Sequence, residues 1–358
     1  MQQNSKPEVV VITGASAGVG RAAARAFGER GAQVGLIARG VDGLEAAKRE
    51  IEMLGGQAVV APADVASPEQ VESACAKIEE TFGNIDVWVN CAMTSVFSPF
   101  HKMNAEEFQR VIDVTLMGQV HGTMTALRRM LPRDRGTIVQ VGSALAYRSI
   151  PLQSAYCAAK AAVRGFTDSL RTELLHLKSN VHLTMVQLPG LNTPQFGWVK
   201  SRLRHKAQPV PPIFQPEVAA DAIVYAAHHR RREIWVGASS VKAILSAKLA
   251  PAVGDWVLSS EGYSGQQTSE PEDPGRPDNL WEPLPGDHGA HGTFDERASA
   301  FSPQLWLNKN RGWLTLAAGV AGVTWSVACA MKQRNSTNGV GRAMAALKKS
   351  TRDLTRTK

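Results

Sequence analysis

Tyr156 and Lys160 stand four residues apart near the start of Ala155–Leu177, a segment whose apolar spacing reads as a helix, so their side chains share one face. A tyrosine titrates near ~10 and is a poor base at neutral pH, but a neighbouring ammonium favours the phenolate and lowers that value. A phenol tuned in this way can give a proton to a carbonyl oxygen or take one from an alcohol. Ser143 ends the run Val141-Gly142-Ser143, thirteen residues before Tyr156. At the carboxyl end of a strand, its hydroxyl can hydrogen-bond a substrate oxygen and stabilise the charge that develops there.

A second constellation lies at the amino end. The strand Val9–Thr13 runs into Thr13-Gly14-Ala15-Ser16-Ala17-Gly18-Val19-Gly20 and then a helical segment. Strand, glycine turn and helix is the context in which such a motif holds a dinucleotide. Gly14 permits the tight turn, Gly18 lets the backbone approach a pyrophosphate, and Gly20 allows close helix–strand packing. The helix start offers unpaired N–H groups and the positive end of its dipole to phosphates.

The elements that position these residues alternate through about residue 240. Strands are expected at Val9–Thr13, Gln33–Ala38, Ala58–Pro62, Ile85–Asn90, Thr137–Val141, His182–Leu188 and Glu233–Val236, with helical periodicity at Gly20–Arg30, Leu44–Leu54, Glu69–Phe82, Ala105–Met130 and Ala155–Leu177. Apolar strands with helical crossovers imply an α/β fold, a doubly wound parallel sheet of Rossmann type with helices on both faces. The 358-residue chain is 44% hydrophobic and 20% charged, which excludes a disordered protein.

The spacing GxxxGxG, with the ordered set Ser143, Tyr156 and Lys160, resembles the compact single-domain branch of the short-chain dehydrogenase/reductase family. The resemblance covers about residues 7–240. It implies an oxidoreductase that moves hydride between a nicotinamide and a carbonyl or alcohol carbon, with Tyr156 as proton donor or acceptor and Lys160 also holding the nicotinamide ribose. It assigns nucleotide contacts to Gly14, Ser16, Gly18, Val19, Gly20, Asp64, Val65 and Asn90, and a nicotinamide carboxamide contact to Thr193. Ala38 stands where NAD members of the family carry an acid, and Arg39 follows it, able to meet a 2′-phosphate with Ser16 adding a hydroxyl; the expected cofactor is therefore NADP(H). Asp42, with Glu45 three residues on, is expected to cap the next helix. The chain departs from the family at Cys91 and Met93, beside Asn90, and at Thr115, where the family carries an asparagine that supports a proton-relay water. These departures motivate the alternative of an NADP(H)-binding sensor or scaffold with little catalysis.

The substrate is expected to be a small-molecule carbonyl or alcohol, with Phe97, Phe100, Leu145, Ile150 and Trp198 forming an apolar pocket. Lys200, Arg202, Arg204, His205 and Lys206 read as contacts for an acidic substrate or membrane surface, or as the solvated face of a lid. The organisation reads as a catalytic domain over 1–260, a Pro/Gly-rich arm over 261–308 that Trp281, Leu284 and Phe294 pin in place, a hydrophobic helix over 309–331 and a basic tail over 332–358. His288 and His291 read as solvated loop residues, with no metal expected. Residues 312–331 are uncharged, and the tail carries eight basic residues against Asp353 alone. Membrane contact through 309–358 is expected, set against a buried or dimerising helix. The four scattered cysteines and the amino terminus, which lacks a secretory pattern, point to a cytoplasmic catalytic domain. A homo-oligomer is expected, and no specific nucleic-acid binding, because the tail has no interleaved aromatics.

Overall fold

A computed structural model of the chain describes residues 6–312 and Trp325. The chain divides into two compact units, Met1–Leu305 and Trp306–Lys358. Seven parallel strands form the central sheet of the first: β1 (Val9–Thr13), β2 (Gln33–Ala38), β3 (Gln57–Pro62), β4 (Val87–Asn90), β5 (Thr137–Ser143), β6 (His182–Leu188) and β7 (Glu233–Trp235), in the order β3-β2-β1-β4-β5-β6-β7. The strand order reverses between β1 and β4, which opens a crevice at their carboxyl ends.

Both faces of the sheet are covered, so the strands are apolar throughout. Val10, Ile12, Val34 and Leu36 face one core with α1 (Gly18–Gly28), α2 (Val41–Met53) and α7 (Pro216–His228). Val9, Val11 and Ile37 face the other with α3 (Pro68–Phe82) and the carboxyl half of α5 (Gly118–Met130). The alternation along β1 is the period of two that a strand imposes. Each fully buried Val, Leu or Ile contributes roughly 1.5–3 kcal/mol relative to exposure.

The long periodic stretch expected over Ala105–Met130 is interrupted. Helix α4 (Ala105–Ile112) passes into a π-turn at Asp113–Met117 before α5 begins. Thr115, buried in that turn, donates to Thr94 O at 2.8 Å and accepts from Thr94 N at 3.0 Å, tying it to the loop after β4. Helix α6 (Ser154–His176) follows β5, and α8 (Ala238–Leu249) and α9 (Pro251–Ser264) follow β7.

The compositional boundary at residue 260 falls inside α9, and much of the arm is ordered against the sheet domain. Gln267–Pro271 pairs antiparallel with His205–Ala207, and Ala298–Ser299 pairs with Ile213–Phe214. Phe294 is buried, as expected of a pinning residue, but Trp281 is half exposed, and it is its neighbour Leu280 that is fully buried. Asp42 does not cap α2, whose cap is Gly40; its carboxylate accepts from Gly286 N at 2.7 Å in the arm. Among the described residues no helix is long and apolar enough to cross a membrane. The expected hydrophobic helix, apart from its first residues and Trp325, and the basic tail lie outside the described residues.

His291 bridges the arm to α7. Its Nε2 lies 2.9 Å from Glu217 Oε1 and its Nδ1 2.9 Å from Asp295 Oδ1. Burial disfavours its charged form, but the two carboxylates outweigh that and hold its pKa above the ordinary histidine value. A group whose folded pKa is raised stabilises below its unfolded value, near ~6.5, and loses that contribution as pH rises through the folded value. Amide-exchange protection of residues 287–295, corrected for intrinsic exchange, is therefore expected to fall as pH rises past about 6.5 and through the raised folded value. His291→Gln should flatten that dependence, and a flat wild-type profile would contradict the assignment.

Candidate active site

The glycine turn is fixed by its neighbours. Gly14 and Gly18 have φ of +73° and +56°, a region that disfavours side chains. A Cβ on Gly14 would come within 2.8 Å of Ala92 Cα. Gly14 N and Ala15 N both donate to Ile37 O, at 2.7 and 3.2 Å, which binds the turn to β2. Thr13 Oγ1 accepts Cys91 N at 3.0 Å and Ala92 N at 3.1 Å, joining the ends of β1 and β4. Gly14, Ser16, Gly18, Val19 and Gly20 line the resulting groove, with Arg39, Asp64 and Val65 further along it.

Arg39 reaches into the groove but is also engaged by the arm. Its Nη1 donates to Trp281 O at 2.5 Å and its Nη2 to Asn279 O at 2.6 Å. Asp64 accepts from Arg110 Nη2 at 2.6 Å and from Ala66 N at 3.0 Å. Burial alone would raise the Asp64 pKa; those donors outweigh it and hold the carboxylate below its ordinary range. Asn90 departs from expectation. Its amide nitrogen is spent on Gln119 O, Thr123 Oγ1 and Gln140 Oε1, and its oxygen accepts from Trp88 Nε1 at 2.8 Å. The side chain is fully buried, and it is Cys91, Ala92 and Met93 that line the groove.

Ser143, Tyr156, Lys160 and Thr193 line the same cavity. Ser143 ends β5 and its Oγ accepts from Leu145 N at 3.1 Å. Lys160 is 2% exposed, and its Nζ donates to Val141 O at 2.7 Å, a carbonyl that also accepts Gln119 Nε2 at 3.1 Å. The Lys160 amine sits 5.7 Å from the Tyr156 ring centroid. The neighbouring ammonium does not by itself leave the phenol pKa lowered. Burial pushes Tyr156 above the ordinary tyrosine value, and the Ser143 hydroxyl beside it acts in the opposite sense. Burial likewise lowers Lys160 to about 8. Both shifts have one leading cause, burial that penalises each charged form.

The cavity has a volume of about 800 Å³ and runs from the glycine turn past Tyr156 to an apolar end. Leu145, Ile150 and Trp198 line that end as expected, joined by Phe196, Val253 and Leu258. Phe97 and Phe100 do not: Phe97 is buried against Leu152, Val199 and Leu203, and Phe100 is 69% exposed. The basic stretch is largely neutralised. Lys200 pairs with Asp278 at 3.0 Å, Arg202 with Glu107 at 2.7 Å and Lys206 with Glu270 at 2.7 Å. Sequence reasoning missed the arm's share of the lining, Asn279, Pro283, Leu284, Gly286 and His288. The only signal was a few apolar residues scattered through a Pro/Gly-rich stretch.

Known proteins resemble this chain in sequence and fold. The family described as short chain dehydrogenase matches residues 8–202. An uncharacterised oxidoreductase, YxnA of Bacillus subtilis, is 31% identical over 90% of this chain and 91% of its own length. A fatty acyl-CoA reductase of Acinetobacter baylyi is 30% identical over 74% of this chain and 86% of its own. Among solved structures, an alcohol dehydrogenase from the archaeon Thermococcus sibiricus, complexed with 5-hydroxy-NADP, superposes with a TM-score of 0.56 at 28% identity, covering 64% of this chain and 95% of that one. A metagenomic short-chain oxidoreductase in complex with NADP gives 0.55 at 28% identity, over 65% of this chain and 98% of that one. With the seven-stranded sheet, the glycine turn at its switch point and the match over residues 8–202, the chain belongs to the short-chain dehydrogenase family of oxidoreductases.

Proposed function

We propose that this oxidoreductase uses NADP(H) and interconverts a carbonyl and an alcohol, with Tyr156 as the proton donor or acceptor. The observation that carries the reading is a single cavity lined by the glycine turn, Arg39, Ser143, Tyr156 and Lys160. The residues fit the cofactor. The groove starts at a helix amino terminus with no acid in its first turn, and β2 ends on Ala38 and is followed by an arginine rather than a carboxylate. The two structural neighbours were solved with NADP or its 5-hydroxy form, which supports the same choice. Gly14, Ser16, Gly18, Val19 and Gly20 would hold the phosphates, Asp64 and Val65 the adenine side, Arg39 the 2′-phosphate and Thr193 the carboxamide.

When bound, the reduced nicotinamide supplies a hydride to the carbonyl carbon. Tyr156 then gives its proton to the carbonyl oxygen. Ser143 donates a hydrogen bond to the same oxygen as negative charge builds. Lys160, oriented by Val141 O, stabilises the phenolate left behind and holds ribose hydroxyls. Burial keeps the Tyr156 phenol protonated at neutral pH, the form that can give a proton when a carbonyl is reduced. The apolar end of the cavity suits a bulky apolar carbonyl, in keeping with a fatty acyl-CoA reductase among the relatives. Residues 309–358 contact a membrane surface while the catalytic unit faces the cytoplasm, a separable part of the proposal supported by the uncharged stretch 312–331 and the basic tail.

Tyr156→Phe should lower kcat for NADPH-dependent carbonyl reduction by about 10²- to 10⁴-fold while leaving NADPH affinity nearly unchanged. Wild-type protein that binds NADPH tightly but turns over no ketone, aldehyde or acyl thioester would instead favour the sensor reading. Arg39→Ala should raise KM for NADPH by roughly ten- to a hundredfold, the loss of a charge-assisted contact, and leave KM for NADH little changed. An equal effect on both nucleotides would remove Arg39 from the 2′-phosphate site. Cell fractionation should place part of the full-length protein with membranes; recovery wholly in the soluble fraction overturns that part alone.

A further inference from the structure

The arm does more than pack on the surface, because residues 279–292 cross the mouth of the nucleotide groove and are fastened on both sides of it. On one side Asn279 N donates to Trp198 O at 3.1 Å, the Arg39 guanidinium holds the carbonyls of Asn279 and Trp281, and Arg110 Nε donates to Leu280 O at 3.1 Å. Leu280 is fully buried beside Val111 and Ala155, with Tyr156 packed against the same cluster. On the other side Gly18 N, in the glycine turn itself, donates to Gly289 O at 3.1 Å, and Gly292 N donates to Asn192 O at 3.3 Å. Between these points Pro283, Leu284, Gly286 and His288 roof the cavity whose floor is the glycine turn.

The middle of the crossing is held by charge. Asp287 pairs with Arg21 through both carboxylate oxygens, one contact at 3.2 Å. Arg21 is 1% exposed and lies in α1, one residue after Gly20. Glu50 takes its other edge at 2.8 and 3.0 Å, so Arg21 keeps a partner when Asp287 is removed. A guanidinium is rigid and planar with five N–H donors. When two arm carbonyls take the Nη1 and Nη2 ends of Arg39, the plane of its guanidinium is set by the arm.

We propose that residues 279–292 form a strap that closes over bound dinucleotide, with Asp287 as its latch and the carbonyls of Asn279 and Trp281 as positioning groups for Arg39. The inference rests on the reading of the groove as an NADP(H) site. It adds that nucleotide leaves only when the strap lifts, and that preference for the 2′-phosphate depends on the arm as well as on Arg39. Asp287 touches neither nucleotide nor substrate in this arrangement. It acts through Arg21 and the strap.

The test uses the full chain and NADPH. Release is followed by stopped-flow fluorescence on displacement with excess NADP⁺, and the ratio of KM for NADH to KM for NADPH is measured alongside. Asp287→Ala is expected to speed NADPH release about tenfold or more and to lower the NADPH preference several-fold, whereas mere loss of stability would leave that ratio unchanged. If that variant does not fold, Asp42→Ala removes the acceptor for Gly286 N from an exposed position and gives the same comparison. In wild-type protein, amides of residues 279–292 should gain exchange protection when NADPH binds. Wild-type and variant proteins with equal release rates and equal preference, or a strap equally protected with and without NADPH, would overturn the strap and leave the nucleotide site standing. Failure of wild-type protein to bind NADPH at all would overturn the site, and the strap with it.

Discussion

The carbonyl of Val141 is the point on which the candidate site turns. It accepts Lys160 Nζ and Gln119 Nε2 together, and so ties the carboxyl end of β5 to α6 and α5. Without that acceptor an amine 2% exposed would have no counterpart in a region where an unpaired polar group costs several kcal/mol. The bond does not fully compensate for lost hydration, which is why Lys160 titrates near 8. The same burial drives the Tyr156 phenol the other way. Each group is thus biased to its neutral form by the pocket, and a charged partner brought into that pocket acts on both at once.

The family departures change how the site is supported more than what lines it. Thr115 replaces an amide with a hydroxyl, and that hydroxyl makes two hydrogen bonds to Thr94 across a π-turn, a deviation that often marks functional positions. Met93 and Cys91 line the groove beside Asn90, but Asn90 itself is held from below by the buried set of Trp88, Thr123 and Gln140. The loop after β4 is therefore anchored through its neighbours, Thr13 on one side and Thr115 on the other.

What could be read from the sequence follows the range of the interactions. The strands were legible because β-branched runs buried on both faces carry their own signal, and the ends of β1, β2 and β6 agree residue for residue. The Ser143, Tyr156 and Lys160 set was legible because a strand end and a helix face fix their relation locally. Asn90 was misplaced because its partners lie up to 50 residues away in sequence. Asp42 had the spacing of a capping residue, and only the fold brings Gly286, 244 positions on, to its carboxylate. Phe97 and Phe100 are three residues apart, yet one is in the core and the other in solvent, a distinction that no local periodicity carries in so short a loop.

The arm shows how tertiary contacts give meaning to a stretch that composition marks only as irregular. Asp278 and Glu270 neutralise Lys200 and Lys206, so the segment after β6 presents far less free positive charge than its sequence implies. One residue beyond Asp278 the same backbone turns to Arg39 and begins to roof the nucleotide groove. Charge pairing with the stretch after β6 and carbonyl contacts to Arg39 are thereby carried by one continuous segment. The Lys200–Asp278 pair and the bond from Arg39 to the Asn279 carbonyl thus restrain adjacent residues of one stretch of backbone, so a surface ion pair and a group lining the nucleotide groove are fixed by the same few atoms of chain.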